Sequence, residues 1–174
     1  DSARRALMLG VPPERFNWAL PELCIGDSEL AVVSPMVPGT FLNIAKTVAL
    51  HRDDEKWALL YALLWRMHHG ESGLLQVEAD PLVARVRFLQ KAVERDFLKM
   101  QLFVRFRESH GFKVAWYKPE HMIAEEMASF FIKKNPEQRW FLHTPQLTLR
   151  WNLKELELTQ GLAQPPRLLI DNAE

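Results

Sequence analysis

The spacing of apolar residues changes once along this chain, and that change limits the folds open to it. From Asp80 onward, Leu82, Val86, Leu89, Val93, Phe97 and Met100 recur every three or four residues, the interval that lines one stripe of an α-helix. After Met100 the interval drops to two. Val104 and Phe106 would share one face of a strand, as would Phe112, Val114 and Trp116 across a Ser109-His110-Gly111 corner, which is the side-chain period of extended backbone. Pro119 then breaks the second strand and can open a helix, Glu120 to Lys134, that Asn135-Pro136 ends. Two more alternating runs follow, RWFLHT with Trp140 and Leu142 inward, and LTLRWN with Leu147, Leu149 and Trp151 inward.

Before the switch the signals are helical. Residues 1–9 read as a helix tail stopped by Gly10 and Pro12, and proline-rich turns follow to residue 38, with a short strand over Glu29–Ser34. Thr40 can cap a helix carrying Phe41, Ile44 and Val48, and Asp53 or Asp54 can cap WALLYALLWRM, whose apolar residues circle most of its circumference and suit a central helix. Asp80-Pro81 starts the long helix. The expected fold is α+β. A helical part (1–100) packs on a small antiparallel sheet of β-β-α-β-β order (101–156), followed by a tail (157–174), all as one domain. Asp1 opens inside a helical pattern and LLIDNAE stops without a terminator, so an excised domain or a trimmed chain is expected.

Several function classes are not supported. No apolar run approaches the ~18 residues a membrane span needs, and DSARRALMLG lacks the apolar core of a secretory leader. The single cysteine, Cys24, sits between Leu and Ile as a small buried hydrophobe and offers no disulfide or Cys pair for zinc. The six histidines show no metal-ligand spacing. No glycine-rich phosphate loop or nucleophile elbow is present, so no metal and no cofactor is expected. A cytoplasmic, membrane-free protein is the expectation.

Net charge is zero but uneven. Residues 81–156 hold 14 Lys/Arg against 8 Asp/Glu, whereas residues 1–80 hold 7 against 11. If the apolar faces lie inward, the other sheet face gathers Arg105, Arg107, Lys113, Tyr117, Phe141, His143 and Arg150. Cations meet phosphates and aromatic rings stack bases, so this pattern suits single strands of nucleic acid or flipped bases. Long cationic stems that cover apolar atoms on a wet face give the same pattern. Three groups, His121, Asp96 and Lys99, could do acid–base work if the fold unites them. Capping hydrogen bonds and the helix dipole would account for them equally well.

VPGTFLNIAKTVALHRDDEKWALLYALLWRM, RDFLKMQLFVRFRE, AWYKPEH and RWFLHTPQLTLRW, together with LGVPPERFNW near the start, resemble a bacterial domain of unknown function described as "probable DNA metabolism protein". That domain forms the N-terminal half of chains fused to a UdgX-type uracil-DNA glycosylase. Elsewhere it stands alone, encoded beside a radical-SAM protein associated with DNA repair. The resemblance implies a DNA-metabolism or repair accessory with nucleic acid and such an enzyme as partners. A nucleic-acid- or nucleotide-processing enzyme and a pure protein-interaction module are the alternatives. By motif it points to His51, Arg52 and Asp53; to Arg95, Asp96, Lys99 and Met100; and to Phe103, Arg105, Phe106 and Arg107. It also points to Ala115, Trp116, Pro119, His121, Trp140, Thr144 and Pro145. Leu98 stands where the family commonly has histidine, and none of the glycosylase half is present.

Overall fold

The computed structural model describes residues 2–18 and 37–170. Cys24 and the strand expected over Glu29–Ser34 lie outside the described residues. The chain forms two compact units, Asp1–Ala92 and Val93–Glu174.

The first unit is helical. Helix α1 (Ser2–Met8) ends where Gly10 takes φ +67°, with Gly10 N–H donating to Leu7 O and Val11 N–H to Ala6 O. This paired closure favours glycine because it needs left-handed backbone. Helix α2 (Gly39–Ala49) buries Phe41, Ile44 and Val48. It starts just before Thr40, so the cap expected there is not made. Helix α3 (Glu55–His68) follows Asp53, whose Oδ1 accepts the Glu55 N–H. α3 buries Leu60, Tyr61, Leu63 and Met67 and leaves Trp57 39% exposed. Tyr61 packs with Ala6, Leu7 and Phe16, while Leu60, Leu63 and Met67 join a second cluster with Phe41, Ile44 and Val48, so the helix lies between two apolar clusters, as its pattern leads one to expect. Helix α4 (Pro81–Phe103) begins in this unit and ends in the second. Asp80 Oδ1 accepts the Leu82 and Val83 N–H groups, and its other oxygen holds Arg66 at 2.8 Å. The aspartate thus caps the helix and fixes an arginine from α3 at once. One apolar cluster runs through α2, α3 and the start of α4, with Leu63, Val83, Val86 and Leu89 almost wholly buried.

The second unit is a five-stranded sheet with strands in sequence order: β1 (Arg107–Ser109), β2 (Phe112–Trp116), β3 (Trp140–His143), β4 (Leu147–Trp151) and β5 (Leu156–Gln160). The class is α+β, as expected, but the sheet is mixed. β2 and β3 run parallel, while the other neighbours are antiparallel. The cause is the crossover through helix α5 (Ala128–Lys134), which returns the chain to the end of the sheet it left. β5 lies almost wholly within the stretch expected to be a tail. Helix α4 runs on to Phe103, so residue 104 is not yet strand, because Leu98 to Phe103 is a run of mostly good helix formers with no β-branched residue. The helix expected from Glu120 begins only at Ala128, after a series of turns.

Register decides which side chains share a face. Ala115, Trp140, Leu142 and Leu149 lie on one face and are buried at 0–1%. Phe131 of α5 meets the Trp140 ring there at 6.4 Å, and Phe106 meets both. The opposite face carries Arg107, Phe112, Val114, Trp116, Phe141, His143 and Arg150. At β2 this second face is also covered. Trp116 Nε1 donates to Leu162 O, Arg107 donates to Leu169 O, and Val114 is buried. The covering segment ends in helix α6 (Arg167–Ile170). A strand covered on both sides reads as a continuous apolar run, which is why Phe112-Val114-Trp116 looked like the core face and is not.

Candidate nucleic-acid interface

The seven residues expected on one cationic face separate. Arg107, Phe141, His143 and Arg150 do share a face, joined by Phe112 and Trp116. Lys113 lies on the opposite face beside Trp140, and its ammonium donates to Asn135 Oδ1 at 3.4 Å. Tyr117 follows the end of β2, with its N–H on His143 O at 3.0 Å. Its phenol is pushed up by burial and then by the Asp96 charge, with Lys99 opposing. Arg105 precedes β1 and donates to the Leu102 and Val104 carbonyls, closing the end of α4.

On the shared face, β3 and β4 build an aromatic–cation stack. Phe141 and His143, two residues apart on one strand, lie nearly parallel, 12° between planes and 5.9 Å between centroids. Phe112 meets Phe141 at 5.5 Å from β2. The Arg150 guanidinium sits 5.7 Å from the Phe141 centroid and pairs with Glu157 Oε2 at 3.0 Å. His143 Nδ1 bonds Thr148 Oγ1 at 2.9 Å. Burial lowers its pKa from 6.5, so the ring is neutral at pH 7. His143 is thus a stacking surface and not a charge.

Two clefts border this stack. One, of about 230 Å³, is lined by Phe112, Phe141, Trp151, Arg139, Arg150 and Asn152. The other, of about 260 Å³, includes Glu108, Lys113, Glu137 and Gln138. Phe112 and Arg139 line both. Arg139 escaped the sequence reading because it precedes β3 and belongs to no alternating set.

The acid–base candidates do come together, through the backbone. Asp96 is 1% exposed, and its Oδ2 accepts the main-chain N–H of His121 at 2.8 Å. Its Oδ1 is buried without a partner among the described residues. Lys99, one turn on, pairs with Glu120 at 2.6 Å, and that bond holds its pKa above the usual lysine range. The two contacts staple the turn after Pro119 to the end of α4. Among the described residues no group of three or more His, Cys, Asp or Glu could hold a metal ion, and no helix is long and apolar enough to cross a membrane.

A family model described as a domain of unknown function, DUF4130, matches residues 54–164. The chain belongs to this family. The DUF4130 match takes in α3, α4 and the whole sheet, including both clefts and the Asp96–His121 contact. No curated protein and no solved structure matches the chain.

Proposed function

We propose that the DUF4130 region is an accessory domain of DNA metabolism that holds single-stranded nucleic acid against the sheet face of Phe141, His143 and Arg150. The stack of these three side chains carries the reading. The rings are half-buried; a base stacked on what they leave open is worth ~1–3 kcal/mol, and the exposed Arg150 guanidinium, shared with Glu157, can meet a phosphate. The resemblance described above adds the setting, in which the domain serves a repair enzyme of the uracil-DNA glycosylase or radical-SAM kind.

Charge limits the mode of binding. The second unit holds 12 Lys/Arg and 11 Asp/Glu by sequence count, because Arg85, Arg87 and Lys91 of the basic stretch fall in the first unit and residues 157–174 add Arg167 against Glu157, Asp171 and Glu174. A near-neutral unit makes few phosphate contacts, so stacking supplies most of the affinity. The test is fluorescence anisotropy of a labelled single strand at several salt concentrations. Phe141→Ala with Arg150→Ala should weaken binding at least about fivefold, the low end of one lost stack. A wild-type chain that ignores the strand at low salt, or a double variant that binds equally well, would sink the reading. Co-purification with the genomically adjacent enzyme tests the partner.

A further inference from the structure

The two clefts lie at the end of the sheet where the β1–β2 turn, the entry to β3 and the β4–β5 turn come together, and they differ in character. Phe112, Phe141 and Trp151 make the first aromatic, whereas Glu108, Glu137 and Gln138 make the second polar. Arg139 stands in the wall common to both. Its guanidinium has no hydrogen bond, ion pair or ring contact among the described residues, and the side chains of Glu108, Glu137 and Gln138 are likewise unengaged there. Each cleft is smaller than the ~300–1,000 Å³ that encloses a drug-sized ligand, which suits one planar base apiece.

We propose that the paired clefts hold two successive nucleotides of a single strand, with the linking phosphate on Arg139. This rests on the reading above and adds a selectivity to it. The aromatic cleft accepts any base, since every base has a stacking face. The polar cleft chooses. Carboxylates accept hydrogen bonds from an exocyclic amine, as on cytosine or adenine, whereas thymine has no amine and flanks its one ring N–H with two carbonyl oxygens that repel a carboxylate. Glu108 and Glu137 would therefore favour a base that carries an amine and disfavour thymine. Arg139 offers a planar fork of donors matched to phosphate oxygens.

The experiment compares labelled oligo-dC and oligo-dT of equal length, at neutral pH, on the full chain. Oligo-dC should bind at least about fivefold tighter, the low end of one base-edge contact. Glu108→Ala with Glu137→Ala, which removes both acceptors, should erase that preference while oligo-dT binding is kept. Arg139→Ala should weaken both oligomers. All three side chains are exposed, and circular dichroism checks that the variants fold. Equal affinities in the wild type, a preference that survives the double variant, or an Arg139→Ala protein that binds as before would overturn the two-cleft assignment. If Phe141→Ala still weakens binding in that case, the sheet-face reading stands. No binding to either oligomer overturns both.

Discussion

Asp96 allows a sharp test of what a buried carboxylate does in this fold. Its Oδ2 accepts the His121 N–H at 2.8 Å, His121 is 5% exposed, and its Oδ1 has no partner among the described residues. Asp96→Ala strands a buried N–H, which costs ~1–3 kcal/mol. It also removes a desolvated charge that is only half satisfied, which offsets part of that loss. Net destabilisation of about 1–2 kcal/mol is expected. Asp96→Asn keeps an acceptor for the His121 N–H and removes the charge, so it should stay within about 1 kcal/mol of wild type. Urea titration followed by circular dichroism gives the stabilities. Amide exchange at His121 localises the effect, speeding in the alanine variant and not in the asparagine one. If Asn costs as much as Ala, the charge matters more than the acceptor. The staple account would then be wrong, and an electrostatic role toward Lys99 and Tyr117 would take its place.

Three other outcomes follow from the geometry. His143 has a pKa below 6.5 through burial, so the folded state resists its protonation. This contribution to stability is complete above about pH 6.5 and is lost as pH falls through the folded-state value. His143→Gln should flatten that limb in a pH series of urea midpoints. Leu153 takes φ +82°, a left-handed conformation that costs a side-chain-bearing residue about 1–2 kcal/mol. Leu153→Gly should raise stability by about 0.5–1 kcal/mol after the backbone entropy of glycine is subtracted, read as a higher urea midpoint. Finally, a strand gripped by one or two cations should show a log–log salt slope of only about −0.7 to −1.4, so a much steeper slope would contradict stacking-led binding.

What could be read from sequence was local. The α4 stripe, the Asp80 cap and the Gly10 stop each rest on residues within one or two turns of one another. The β1–β2 corner was legible too, since His110 and Gly111 at φ +50° and +80° form the kind of turn a two-residue hairpin needs. The partnership of β2 with β3 was not, because a parallel neighbour leaves no mark on either strand. Without it the face of Lys113 could not be assigned, and apolarity alone placed Phe112, Val114 and Trp116 on the wrong side. β5 did carry a signal in the alternation of Leu156 and Leu158, but its polar partners hid it. The Asp96–His121 contact spans 25 residues, and Arg139 becomes conspicuous only once two clefts are seen to share it.

The sheet also implies an order of events. β1–β2 and β3–β4–β5 are joined by short turns, so each can zip up on its own. The two pieces meet only at the parallel seam, where Lys113 pairs with Trp140 and the chain must close a far longer loop before any contact rewards it. The seam should be the slow step of assembly, and pulse-labelled amides during refolding should gain protection along β4–β5 before they do along β2–β3. An intermediate with a finished meander and an open seam would expose the facing edges of β2 and β3 to water until the two strands pair.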